Sequence, residues 1–78
     1  MPKSDHEIEL VINGTAYEVF FEREWEVVES EVWNDRANRI YVNSIPIGYF
    51  LVGFADQVIE AVDKWLENNA PVVADNRY

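Results

Sequence analysis

The stretch that most constrains this chain runs from Ile40 to Leu66, where an uncharged apolar segment leads into one amphipathic helix. No charged residue occurs from Ile40 to Ala55, and Tyr49, Phe50, Leu51, Val52 and Phe54 crowd its second half. Leu51, Ala55, Val58, Val62 and Trp65/Leu66 then recur at helical spacing, with Asp56, Gln57, Glu60, Asp63, Lys64 and Glu67 between them. That is one apolar stripe opposite one charged face, and a lone helix of this kind needs a sheet to cover. The pattern predicts a helix over 51–69, starting between Gly48 and Phe54 and stopped by Pro71. Glu60 and Lys64 support it at i,i+4 spacing.

The residues before it are expected to supply that sheet. Ile8, Leu10 and Ile12 alternate with Glu7, Glu9 and Val11, and Tyr17, Val19 and Phe21 alternate with Glu18, Phe20 and Glu22. Between them lies Asn13-Gly14, whose residues accept positive φ at low cost, so a two-residue type I′ turn joins the strands. Placing Ile12 opposite Thr15 brings Leu10 opposite Tyr17 and Ile8 opposite Val19 on one face. Val11 with Ala16 and Glu9 with Glu18 fall on the other. A one-residue slip would spoil both faces.

Further along, Trp25, Val28 and Val32 also fit a helix, but Val27, Val28, Val32 and two Trp favour reading Trp25 to Trp33 as a third strand, with a bulge at Val27-Val28 where the alternation changes phase. Trp25, Val27 or Val28, Ser30 and Val32 then point inward, while Glu24, Glu26, Glu29, Glu31 and Trp33 point outward. Asn34 to Asn38 reads as a polar loop, Arg39 to Val42 as a short fourth strand and Asn43-Ser44 as a turn. Pro46 is expected at a sheet edge or outside the sheet. The expected fold is thus a single α+β domain: an antiparallel sheet of three to four strands within residues 7–50, opened by the hairpin 7–22. One C-terminal amphipathic helix packs on one face, residues 1–6 form a flexible arm and 70–78 a tail.

Charge narrows the functional classes. The net charge is −9, and Asp5 to Asp35 holds ten acidic residues against Arg23 alone. Direct contact with a nucleic-acid backbone or an anionic membrane is disfavoured, because it would add like charge. Three Trp, four Tyr and four Phe in 78 residues argue for an ordered core rather than a disordered acidic tail. There is no cysteine, hence neither disulfide nor thiolate metal site. Met1 to His6 lacks an apolar leader core, and the uncharged run is interrupted by Pro46, Gly48 and Gly53, so a cytoplasmic protein is expected.

The catalytic inventory is thin. The one histidine, His6, lies in the expected arm, where a rigidly held general base is unsupported. With Asp5, Glu7 and Glu9 it offers only weak metal chelation. No serine has a histidine beside it in sequence, and the Gly48/Gly53 spacing lacks the lysine of a phosphate loop. Asn13-Gly14-Thr15 matches a glycosylation acceptor, but the hairpin turn accounts for it. No enzyme, cofactor or metal is expected.

What remains is geometric. Besides Glu7 and Val11, the face opposite the helix receives Glu9, Glu18, Phe20 and Glu22, joined by Glu24, Glu26, Glu29, Glu31 and Trp33. Aromatics set among charges are a common hot-spot composition, so these residues are the expected partner-binding set. The partner would be a basic protein surface, such as that of a nuclease or another nucleic-acid-handling protein. Immunity proteins and phage anti-defence proteins share this size and charge, a likeness without a motif. The alternative is a structural subunit or homodimer whose run Ile45 to Phe54 completes a neighbour's core, the acids serving solubility.

Overall fold

In the computed structural model, which describes residues 3–71, the chain forms a four-stranded antiparallel meander followed by one helix. The strands are β1 (Lys3–Ile12), β2 (Thr15–Val28), β3 (Glu31–Val42) and β4 (Ile45–Pro46). A 3-10 turn, Ile47–Tyr49, leads to α1 (Val52–Asn68).

The hairpin β1–β2 has the register that the alternation dictates, with Ile12 opposite Thr15, Leu10 opposite Tyr17 and Ile8 opposite Val19. Asn13 and Gly14 both have positive φ, 53° and 80°. The same two-residue geometry recurs at Glu29-Ser30 (52° and 66°) and Asn43-Ser44 (48° and 68°). Three tight turns of one hand therefore generate the whole meander, because this turn matches the natural twist of the flanking strands.

The middle of the sheet departs from the sequence reading. There is no separate strand from Trp25 to Trp33: β2 continues to Val28, the chain reverses at Glu29-Ser30, and β3 begins at Glu31. The phase change at Val27-Val28 is the approach to that turn, not a bulge. Glu-Ser is a poor left-handed dipeptide, so composition hid the turn. Asn34 to Asn38 is strand rather than loop, and Arg39 to Val42 is the end of the same strand. Two bulges do occur, on β3, where Asn34-Asp35 faces Trp25 and Arg39-Ile40 faces Phe21. Asn34 and Arg39 carry the positive φ that a bulge of this class needs. The fourth strand is Ile45–Pro46, with Pro46 at the sheet edge.

Nor are residues 3–6 an arm. Lys3, Ser4, Asp5 and His6 pair with Glu24, Arg23, Glu22 and Phe21. Their polar composition concealed a strand whose inner face is made by His6 rather than an aliphatic residue. Its ring stacks on Phe21 at 5.6 Å and meets Trp65 at 5.4 Å. Of the expected tail, residues 72–78 lie outside the described residues.

The helix covers one face. Val58, Val62 and Leu66 are buried against Val19, Phe21, Ile40 and Val42, while Trp65 sets its edge on Phe21 and Phe54 on Tyr17. Leu51, read as the first residue of the stripe, is the N-cap and stands 84% exposed. The last helical carbonyls need partners from outside the helix. Arg23 supplies them from across the sheet, donating to the carbonyls of Asn69 (2.7 Å) and Leu66 (3.4 Å). Its guanidinium also grips Asp35 through Nε (2.9 Å) and the second terminal nitrogen (2.6 Å), 5.7 Å from the ring centres of both Trp25 and Trp65. A cation at the negative end of a helix is doubly favoured, and this one is 3% exposed with every contact satisfied.

Candidate functional site

No described element packs on the other face of the sheet, and the register lays it out in rows. Reading from the Asn13-Gly14 turn, the first row is Val11–Ala16 and the second Glu9–Glu18. The third crosses all four strands: Glu7, Phe20, Tyr41 and Pro46. Asp5–Glu22–Asn38 follows, then Lys3–Glu24–Arg36, then Glu26–Trp33, and last Val28–Glu31. Side chains alternate between faces along β1 and β2, and paired residues point to the same side, so with β3 back in register after each bulge all these residues share one face.

Charge is held differently along these rows. Glu24 is 8% exposed, between the guanidinium of Arg36, to which it is hydrogen-bonded, and Lys3 at 3.9 Å. Lys3 also reaches Glu22 at 3.8 Å. Glu26 accepts a 2.8 Å bond from Asn34. Glu7, Glu9 and Glu18 are exposed, make no ion pair among the described residues, and have no basic residue in their rows. Arg39, exposed at the bulge opposite Phe21, forms no ion pair among the described residues either. Glu9 and Glu18 stand directly opposite each other, a like-charge pairing that costs a few tenths of a kcal/mol, roughly.

The residues expected to bind a partner therefore divide. Glu9, Glu18, Phe20 and Glu22 sit together on the uncovered face. Glu24 shares that face, but it is buried and paired and belongs to the fold. Glu26, Glu31 and Trp33 lie on the far part, where β2 and β3 run on past the described end of β1 opposite Glu24. Glu29 sits in the hairpin turn rather than on the face. Phe20 and Trp33, 41% and 53% exposed, are roughly 20 Å apart along the strand direction, so they do not form one patch.

The structure adds Tyr41 and Ser44, which the sequence does not place here, and draws in Glu7, which alternation puts on this face but outside the expected partner-binding set. An open concavity of about 460 Å³ is lined by Glu7, Glu18, Phe20, Tyr41 and Ser44. Tyr41 tilts against Phe20 at 59°, with ring centres 6.3 Å apart. Its place could be found only from the β2–β3 register, and that register was lost once Glu29-Ser30 passed unrecognised as a turn.

His6 belongs to the opposite face from Asp5, Glu7 and Glu9, and its Nε2 lies 2.8 Å from the Ser4 hydroxyl. The strand pleat thus takes the imidazole away from the carboxylates that would have completed a metal site.

No family model matches the chain, and no curated protein or solved structure matches it either. Among the described residues, no helix is long and apolar enough to cross a membrane.

Proposed function

We propose that this chain is a non-enzymatic docking module that presents its uncovered sheet face to a basic surface of a protein partner. One observation carries the reading: Glu7, Glu9 and Glu18 surround an exposed aromatic, and none of them forms an ion pair among the described residues. A carboxylate that only stabilised the fold would be paired, as Glu24 is. A net charge of −9 steers a cationic surface toward this face, and Phe20 supplies apolar area at its centre. Proteins that handle nucleic acid carry cationic surfaces of this kind, and a module occupying one would act as an inhibitor. A cytoplasmic setting belongs to the same proposal.

Reversing Glu7, Glu9 and Glu18 to lysine tests it without touching the paired carboxylates. Wild-type and reversed proteins would serve as matched baits in cell lysate at low and high salt. A partner held by wild type, lost on reversal and weakened by salt supports the docking face. A partner indifferent to reversal sinks it.

A second reading has its own support. Tyr49, Leu51 and Val52 are 81%, 84% and 76% exposed, an apolar cluster at the entry to α1 that water disfavours. Under this reading the chain self-associates there and the acids serve solubility. Sedimentation over a wide concentration range decides it: a strict monomer removes this alternative.

A further inference from the structure

We infer that the concavity formed by Glu7, Glu18, Phe20, Tyr41 and Ser44 is a receptor for an arginine side chain projecting from the basic partner. The inference rests on the docking reading above and names the group that the face would capture. Phe20 and Tyr41 are cross-strand neighbours whose rings meet at 59° instead of stacking flat, so they form two walls of a notch. Glu7 stands across from Phe20 on β1, and Glu18 precedes it on the same face of β2. Ring faces are negative, and the carboxylates beside them are unpaired among the described residues, so the notch attracts cations and repels anions.

Arginine suits it better than lysine. A guanidinium is flat and weakly hydrated, so it can lie against a ring while its fork donates to a carboxylate at the rim. An ammonium is compact and strongly hydrated, and gives up more water to enter. The protein already contains one such arrangement, fully assembled. On the covered face, Arg23 lies 5.7 Å from two tryptophan ring centres and donates twice to Asp35. The notch offers aromatic walls and carboxylates on the uncovered face, with the cation left for a partner to supply.

The test uses blocked hexa-arginine and hexa-lysine peptides of equal charge. Each is titrated into the full chain at low salt and followed by backbone amide shifts. The largest shifts are expected at Glu7, Glu18, Phe20, Tyr41 and Ser44, with hexa-arginine about three- to five-fold tighter than hexa-lysine. Phe20→Leu keeps apolar area at an exposed position and should reduce that preference to near parity while both peptides still bind. Tyr41→Leu should act in the same direction, which guards against a folding defect in either variant. Equal affinity for the two peptides, a preference unchanged in Phe20→Leu, or shifts centred on Trp33 would overturn the notch and leave the acidic docking face standing. No shift on this face with either peptide would overturn both.

Discussion

Glu24 and Glu18 lie on the same face of the same strand, yet the protein treats them differently. Glu24 is nearly buried, hydrogen-bonded to Arg36 and flanked by Lys3. Glu18 is exposed and faces Glu9. In the row of Glu24 a carboxylate is part of the sheet's own adhesion. In the row of Glu18 a carboxylate weakens the sheet slightly and leaves its field for something else. Two acids on one strand face therefore do not make one acidic surface. What separates them is the residue that the register sets opposite, Lys3 and Arg36 in one case and Glu9 in the other.

The fold-holding kind of charge should be the most sensitive to removal, and its strongest case is Arg23. Arg23→Met keeps an unbranched side chain beside Trp25 and Trp65 but leaves Asp35 and the Asn69 carbonyl without their donor and takes from the Leu66 carbonyl one of its two. Breaking one side of a buried pair costs about 3 kcal/mol or more, so the urea midpoint should fall steeply and α1 should loosen at its C-terminal end. Unaltered amide-exchange protection through Val62 to Leu66 would show that packing alone holds the helix down. Glu24→Gln comes next. It keeps the shape, removes the charge facing Arg36 and Lys3, and should cost about 1–2 kcal/mol by urea denaturation. If Glu24→Gln proved as harmless as a substitution at Glu18, the distinction between the two carboxylates would collapse.

How far this map could be read in advance depended on whether each turn announced itself. Asn13-Gly14 is the residue pair that positive φ prefers, so the first hairpin, its register and the placement of Glu9, Glu18, Phe20 and Glu22 followed from alternation alone. The helix was legible for a similar reason, since Val58, Val62 and Leu66 repeat at its period. Glu29-Ser30 carries no such preference, and the chain enters the left-handed region there against its local tendency. With that turn hidden, β2 and β3 could not be paired, and neither the Arg36–Glu24 contact nor the place of Tyr41 beside Phe20 could be seen. The bulges at Asn34 and Arg39 deepened the difficulty, because each shifts the alternation by one residue. Residues 3–6 were missed because a polar edge strand shows no apolar period. The same turn offers a test of the far rows. Glu29→Asn combined with Ser30→Gly should stabilise the protein by about 1 kcal/mol, by relieving left-handed strain while keeping Glu26 opposite Trp33. Destabilisation, or loss of cross-strand contacts between Val27 and Val32, would place the reversal elsewhere and dissolve the rows beyond Glu24.

The smallest effect bears most directly on function. Glu18→Gln removes one member of a like-charge pair and should stabilise the fold slightly, by about 0.3 kcal/mol at low salt. Added salt should shrink that gain, because the repulsion it relieves is exposed and screened. The cost of Glu24→Gln should persist far better, its partners being close and its side chain mostly shielded. A substitution that stabilises the free protein yet weakens its hold on a polybasic peptide would mean that Glu18 is maintained at the fold's expense. If Glu18→Gln were instead destabilising, the carboxylate would be serving the sheet itself, and the near rows would be of the same kind as the far ones. The sign of a few tenths of a kcal/mol, measured at two salt concentrations, thus separates a surface kept for a partner from one kept for the fold.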